Sequence, residues 1–144
     1  LGKDNTRGMF VTLFYGILDL RSYKISFVNC GHHPPCLVGD SEVPEILDRS
    51  ENIPLGLQDD FAFASSEMTL DEGTSLLLYT DGITEATNPA GDRFNLEGVL
   101  ASLKDISSGN AQEIVEGVVS AATAFAEGGR QSDDITAMAI RRSR

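Results

Sequence analysis

Hydrophobic positions along the chain follow a strand-like spacing first and a helical spacing later. Almost every residue from Met9 to Leu18 is apolar, and the run is rich in Phe, Val and Ile. Such a run is typical of a strand buried on both faces, so we expect it to be central in its sheet. YKISFVN then alternates as a half-buried strand does, and CLVG and EIL predict shorter strands.

Turn signals between these segments favour hairpins. NCGHHPP must be a loop, because two prolines cannot lie inside a strand ladder. Phe61–Leu70 predicts another strand, LDEGT a turn, and SLLLYT a core strand that stops at Asp81. Hairpin connections predict antiparallel sheets.

After Gly82 the hydrophobic period becomes helical. NLEGVLASLKDI predicts a helix of about three turns. Asn110 and Glu113 predict a capping box for a second helix, which Gly128 and Gly129 would end. ITAMAI predicts a final strand, so the whole pattern indicates an α+β domain of antiparallel sheets with helices on an outer face.

Charge narrows the range of partners. The net charge is −11, and the segment from Asp40 to Glu72 contains ten acidic residues and a single basic one, Arg49. Such a field repels phosphate backbones and anionic lipids, so we expect neither nucleic acid nor a membrane surface as a partner. The acidic run is either a solvated face or a docking surface for a basic partner.

The remaining bulk features predict a cytoplasmic protein. No apolar stretch approaches the roughly 18 residues of a membrane span, and no charged-then-apolar leader precedes a cleavage site. Two cysteines do not form a disulfide framework, which favours a reducing compartment. The abrupt start at LGKDNTRG predicts that residues 1–144 are the C-terminal portion of a single larger domain.

Asp81 and Asp133 are the candidate chemical groups. One follows a core strand and the other precedes one, so both would emerge at the same sheet edge if those strands are antiparallel neighbours. Converging carboxylates need a cation, and hard oxygen ligands select Mg²⁺ or Mn²⁺, two of which can activate a shared water for attack on phosphorus. The alternative is that Asp81 caps a turn or helix and that Asp133 or Asp134 is a turn residue.

Five motifs occur in an order that resembles a known family: FVTLFYGILD, NCGHHPP, IPLGL, LLLYTDGITEA and SDDIT. They resemble the metal-dependent serine phosphatases of the bacterial SpoIIE and RsbU type, a branch of the PP2C-like family. The resemblance covers about Met9 to Ile140. It implies a PP2C-like layered sandwich of antiparallel sheets flanked by helices, and Mn²⁺- or Mg²⁺-dependent hydrolysis of phosphoserine or phosphothreonine on a protein.

The resemblance also implies roles for residues. The Asp of the TDG motif and the first Asp of the DD motif bind metal in that family, and they match Asp81 and Asp133. No side chain would attack phosphorus, since a metal-activated water is the nucleophile. Gly82 would allow the turn that aims Asp81. The family's first metal motif, an Asp-containing glycine-rich segment on an N-terminal strand, has no counterpart here, so part of the binuclear site is expected to lie outside this chain.

Several residues keep more than one interpretation. Glu85 is a contact of the groups around Asp81 or a solvent-facing residue of a first helical turn. Asp134 is a second ligand, a residue that orients the ligands, or a turn former. Cys30, His32, His33 and Cys36 could bind zinc, but a loop so short with two prolines can hardly wrap around a tetrahedral ion. By the resemblance, His32 would satisfy backbone groups of a hairpin.

Two functions follow as hypotheses. The first is a bacterial serine phosphatase whose substrate, by resemblance, is phosphoserine on an anti-sigma-factor antagonist, with a sensory or receiver domain upstream. The second is a non-catalytic phosphatase-fold module that binds a phosphoprotein or another regulator, which the missing first motif favours.

Overall fold

The computed structural model describes residues 8–39, 43–47, 52–106, 109–129 and 133–143. Its backbone contacts divide the chain into two compact units, Leu1–Pro34 with Asp48–Leu70, and Pro35–Leu47 with Asp71–Arg144. The elements in chain order are β1 (Leu13–Leu18), β2 (Lys24–Cys30), β3 (Cys36–Val38), β4 (Glu45–Ile46), β5 (Ser66–Thr69), β6 (Ser75–Tyr79), α1 (Asp81–Thr84), α2 (Asn95–Asp105), α3 (Ala111–Phe125) and β7 (Ala137–Arg141).

The first unit contains a three-stranded antiparallel sheet in the order β1-β2-β5. Ile25, Phe27 and Asn29 are buried on one face of β2, as the alternation of YKISFVN predicts. The turn between β1 and β2 is closed by the Asp19 carboxylate, which accepts the backbone N–H groups of Arg21 at 2.8 Å and Ser22 at 3.0 Å. Those two backbone donors lower the pKa of Asp19, Ser22 contributing more.

The prediction that the Met9–Leu18 run is a central, doubly buried strand is wrong. β1 lies at the edge of its sheet, and Tyr15 and Ile17 are 58% and 60% exposed. Apolar residues favour the extended conformation, but burial requires a neighbour on each side and each face. In the described part of the chain, β2 is the strand that pairs with β1.

The strand predicted for Phe61–Leu70 is shorter than expected. Only Ser66–Thr69 joins the sheet. The Asn52 side chain accepts the N–H of Ala64 and donates to its carbonyl, both at 2.8 Å. Because those two backbone groups are already paired with a side chain, they are not available for a strand ladder.

The second unit contains a four-stranded antiparallel sheet in the order β4-β3-β6-β7, with α2 and α3 packed against it. Leu77 and Tyr79 of β6 share a buried core with side chains of both helices, which are Val99, Leu103, Ile114, Val118 and Ala122. The strands predicted for CLVG, EIL, SLLLYT and ITAMAI are all present here. The core of this unit therefore lies between the strands and the helices that the sequence pattern predicts.

Both predicted helices are confirmed. The Asn110 side chain accepts the Glu113 N–H at 3.0 Å, and the Glu113 carboxylate accepts the Asn110 N–H at 2.7 Å. This is the predicted capping box. After α3, Gly128 adopts a left-handed φ of +77°, as the predicted stop requires. None of the helices in the described ranges is long and apolar enough to cross a bilayer.

Candidate metal centre

The pairing of β6 with β7 brings the two candidate aspartates to one edge of the sheet. The strands are antiparallel, with Tyr79 opposite Ala137. One more rung follows, since the Thr80 N–H donates to the Thr136 carbonyl at 3.0 Å. Asp81 comes directly after this rung, and Asp133 lies three residues before Thr136, in the segment that leads into β7. The predicted condition, antiparallel neighbouring strands, is therefore met.

Asp81 is the first residue of α1, a single helical turn. Its backbone carbonyl accepts the Glu85 N–H at 2.7 Å and the Thr84 hydroxyl at 3.2 Å. The next three residues, Gly82, Ile83 and Thr84, are buried, while Asp81 is exposed. β6 is thus followed by a buried helical turn, and the Asp81 side chain at its start remains in contact with solvent.

Gly82 is required for a reason other than the predicted turn conformation. Its φ is not in the left-handed region. A Cβ at this position would lie 2.2 Å from the Asp134 carbonyl oxygen and 3.3 Å from the Ile135 Cα. Since both atoms belong to backbone, neither can move aside cheaply. Gly82 therefore lets α1 approach the segment that leads into β7.

Asp133 and Asp134 lie in the segment that leads into β7, with a bend at Asp133. The Asp133 carboxylate accepts the Asp134 N–H at 2.7 Å, and the Asp134 carbonyl accepts the Thr80 hydroxyl at 3.3 Å. Both residues are exposed. One Asp133 carboxylate oxygen is thus used in a local hydrogen bond, while the backbone of Asp134 links the segment to the end of β6.

Glu85 lies at the C-terminal end of α1 and not in its first turn. Its Oε1 atom lies 2.8 Å from Nη1 of Arg93, in an ion pair whose side chains are 41% and 59% exposed respectively. Glu85 is therefore partly exposed, as the solvent-facing interpretation expects, but its pairing with Arg93 was not predicted. The available signal was the run NPAGD between them, whose Asn, Pro and Gly predict a tight turn.

The donors at this edge match the chemistry of a hard divalent cation but do not complete a site. Asp81 and Asp133 supply carboxylate oxygens, which Mg²⁺ and Mn²⁺ prefer. Over the described ranges, however, no group of three or more His, Cys, Asp or Glu side chains could hold a metal ion. Two carboxylates would leave the remaining coordination positions to water or to residues outside those ranges.

The Cys-His loop has a structural role. The Asn29 side chain accepts the His32 N–H at 2.8 Å and donates to the His32 carbonyl at 3.0 Å. Asn29 thus satisfies both backbone groups of His32 and closes the loop. The His32 ring lies 3.5 Å from the Thr12 hydroxyl and packs edge-on against the His33 ring.

The zinc alternative is not supported. Both cysteines are buried and reduced, and the described Cys and His side chains form no group of three. Cys36 lies in the core of the second unit, beside Tyr79. Burial raises the pKa of the Cys36 thiol to about 11, which opposes the thiolate that zinc requires.

A cleft with a volume of about 600 Å³ lies beside Gly82. Ala86, Val119 and Ile135 supply apolar walls, while Thr123 and Glu127 supply polar groups.

The fold belongs to the PP2C class. The chain superimposes on the SiaA-PP2C domain of Pseudomonas aeruginosa with a TM-score of 0.75, at 21% identity, over 90% of this chain and 51% of that one. This confirms the predicted PP2C-like α+β fold of antiparallel sheets and helices.

The chain belongs to the SpoIIE family, described as Stage II sporulation protein E, whose family model matches residues 1–143. Phosphoserine phosphatase RsbP of Bacillus subtilis is 34% identical over 85 residues, which are 59% of this chain. Protein IcfG of Synechocystis is 29% identical over 135 residues, which are 94% of this chain. The matched part is 21% of the length of each of these two relatives.

Proposed function

We propose that this chain carries part of the active site of a Mn²⁺- or Mg²⁺-dependent protein serine/threonine phosphatase. Its substrate would be phosphoserine on a regulatory protein such as an anti-sigma-factor antagonist. Membership of the SpoIIE family and the similarity to a protein named a phosphoserine phosphatase support this proposal.

The observation that carries the proposal is the antiparallel pairing of β6 with β7. It gives Asp81 and Asp133 a shared edge, where they would hold the cation. When bound, the ion would supply Lewis acidity for water and neutralise charge on the phosphoryl group. Gly82 and the Asp134 carbonyl would keep the two segments close, and no side chain of this chain would act as nucleophile.

The partners follow from the same family. The protein would act in the cytoplasm on a phosphorylated protein, and a sensory or receiver domain upstream would control it. The acidic composition, with a net charge of −11, supports a protein partner over nucleic acid.

Phosphate release from a phosphoserine peptide, measured in the full-length protein, tests the proposal. We expect activity with Mn²⁺ or Mg²⁺, loss of activity in EDTA, and a loss of at least about 100-fold in Asp81→Asn and Asp133→Asn, which remove ligand charge. Asp105→Asn, at the exposed end of α2, is the matched control and should retain activity. Full activity in the two site variants would contradict the proposal.

One observation favours a second candidate, a non-catalytic module that binds a phosphoprotein. The described residues supply two candidate ligands and no group of three. A protein of this kind would bind the phosphoserine peptide at equilibrium without releasing phosphate under any metal condition.

A further inference from the structure

Arg93 is distinguished by its position among the basic residues of an acidic chain. In the described part of the second unit, Arg141 lies opposite Ser75, at the end of β6 away from Asp81. Arg142 lies one residue further along, where its N–H donates to the Thr74 carbonyl. Lys104 lies near the end of α2, nine residues beyond Asn95, or about 14 Å along the helix axis. Arg93 alone of these four lies close to α1.

The ion pair with Glu85 places the Arg93 guanidinium on the same face of α1 as Asp81. Asp81 and Glu85 are four residues apart, and the Glu85 N–H donates to the Asp81 carbonyl, so the helical spacing continues through Glu85. Side chains at that spacing lie on one face of a helix, about 6 Å apart at their Cβ atoms. Because the residues between them are buried, the exposed surface of α1 consists of this one face.

The backbone that carries Arg93 is held on both sides. Thr87 and Arg93 form an antiparallel bridge, and the Phe94 N–H donates to the Ala86 carbonyl at 2.9 Å. Within the turn, the Asn88 side chain accepts the backbone N–H groups of Ala90 and Asp92 at 3.0 and 2.9 Å. Arg93 thus extends from a short hairpin that its own backbone and side-chain hydrogen bonds hold in shape.

The contact with Glu85 leaves most of the Arg93 guanidinium available for a second partner. It joins one guanidinium nitrogen to one carboxylate oxygen in an exposed pair, whereas a guanidinium has five N–H donors in a planar fork. An exposed pair of this kind contributes little to stability, while a phosphoryl group can accept two parallel bonds from the fork.

We propose that Arg93 binds the phosphoryl oxygens of the substrate, and that Glu85 is the positioning residue that holds the guanidinium on the Asp81 face of α1. This inference rests on the proposed function, because it takes the phosphoserine of that reaction as its ligand. A phosphoserine dianion approaching a chain of net charge −11 meets mainly repulsion. A fixed guanidinium one helical turn from Asp81 would offset part of it and orient the phosphoryl group.

The test compares Arg93→Gln, Arg93→Lys and Glu85→Gln with Lys104→Gln, which removes one positive charge from an exposed site on α2. The full-length protein is titrated with phosphoserine peptide in the presence of Mn²⁺, and KM and kcat for the same peptide are measured separately. Mn²⁺ affinity and Tm are recorded for every variant.

We expect Arg93→Gln to weaken peptide binding and raise KM by about 10- to 100-fold, the loss typical of hydrogen bonds to a charged group. Arg93→Lys should recover part of that loss, because it keeps the charge but not the fork. Glu85→Gln should raise KM severalfold, since it keeps Arg93 but loosens its position. Lys104→Gln should keep KM and peptide affinity within about twofold of wild type. Mn²⁺ affinity should also stay within about twofold of wild type in every variant, a difference in binding free energy below RT ln 2.

Arg93→Gln with wild-type KM and peptide affinity would overturn the inference while leaving the proposed phosphatase intact. So would equal losses of Tm in Arg93→Gln and Glu85→Gln with no change in KM, since that result describes a purely structural pair. If wild-type protein neither binds Mn²⁺ nor releases phosphate, the proposed function fails and this inference fails with it.

Discussion

The most apolar strands of the two units differ in how deeply their side chains are buried. In the second unit, Leu76, Leu77 and Tyr79 of β6 are almost fully buried, with strands on both sides and helices in the same core. In the first unit, β1 comes from the longest apolar run of the chain, yet Tyr15 and Ile17 are more than half exposed at a sheet edge. Apolar composition predicts a strand in both units, but burial depends on which other elements the chain supplies.

The candidate metal centre lies in the unit whose core contains both strands and helices. β6 and β7 are fixed by five paired positions, and their common edge carries Asp81 and Asp133. A site that must hold two carboxylates close together needs such rigid support.

Truncation of an apolar side chain should give the largest difference in stability between a strand of the second unit and a strand of the first. Leu77 is fully buried in the second unit, so Leu77→Ala should lower the free energy of unfolding by about 4 kcal/mol through lost burial and a new cavity. Ile17→Ala, in the exposed strand, should cost less than about 1 kcal/mol. Denaturant unfolding of both variants checks this prediction, and equal costs would contradict the contrast between β6 and β1.

Addition of a methyl group to a glycine should give the next largest difference in stability between the two units. Gly82→Ala would place Cβ 2.2 Å from a backbone oxygen, so we expect a loss of about 3 kcal/mol. Gly16→Ala, in β1, would meet side-chain atoms no closer than 3.4 Å and should change stability by less than about 1 kcal/mol.

Thermal unfolding and the phosphoserine assay would be measured for both glycine variants. Gly82→Ala should lower activity as well as Tm, because it pushes α1 away from Asp134. A Gly82→Ala protein as stable and active as Gly16→Ala would show that the close approach is not required.

Alkaline pH should weaken the core that contains Cys36. Burial raises the pKa of this thiol from 9.0 to about 11, and burial also raises that of the neighbouring Tyr79 hydroxyl. The unfolded thiol ionises from about pH 9 upwards while the folded one stays protonated. Stability is therefore fully present below pH 9 and should fall by about 2 kcal/mol as the pH rises towards 11.

Urea unfolding at pH 8, 9, 10 and 11 measures this slope. Cys36→Ala should show a shallower decline over the same window, because one of the two groups is absent. An identical slope in both proteins would mean that Cys36 does not contribute to it.

The helix cap should give the smallest effect. Asn110→Ala removes the side chain that accepts the Glu113 N–H, so α3 should lose about 1 kcal/mol. Asn110→Asp keeps an acceptor and serves as the matched variant. Thermal unfolding should place Asn110→Asp close to wild type, whereas equal losses in both variants would indicate a different role for this position.

Features coded by neighbouring residues could be predicted from the sequence. The capping box, the helical periods of α2 and α3, and the end of the core strand at Asp81 all depend on residues within a few positions of one another. The shared edge of Asp81 and Asp133 required one further assumption, that two strands pair, which the structure confirms.

Features that depend on distant partners could not be predicted. The edge position of β1 depends on which strands pair with it, and no pattern within Met9–Leu18 contains that information. Ala64 is withdrawn from the ladder by Asn52, twelve residues away. The requirement for Gly82 comes from Asp134, and the place of Arg93 from Glu85, so both became visible only when the segments were seen together.

The most direct test of the central claim is Mn²⁺ titration calorimetry on the full-length wild-type protein, Asp81→Asn, Asp133→Asn and the control Asp105→Asn. If β6 and β7 present two metal ligands at one edge, both site variants should lose at least about tenfold in Mn²⁺ affinity, while Asp105→Asn binds as wild type does. Wild-type affinity in both site variants would contradict the claim and leave Asp81 and Asp133 as residues that only shape a turn.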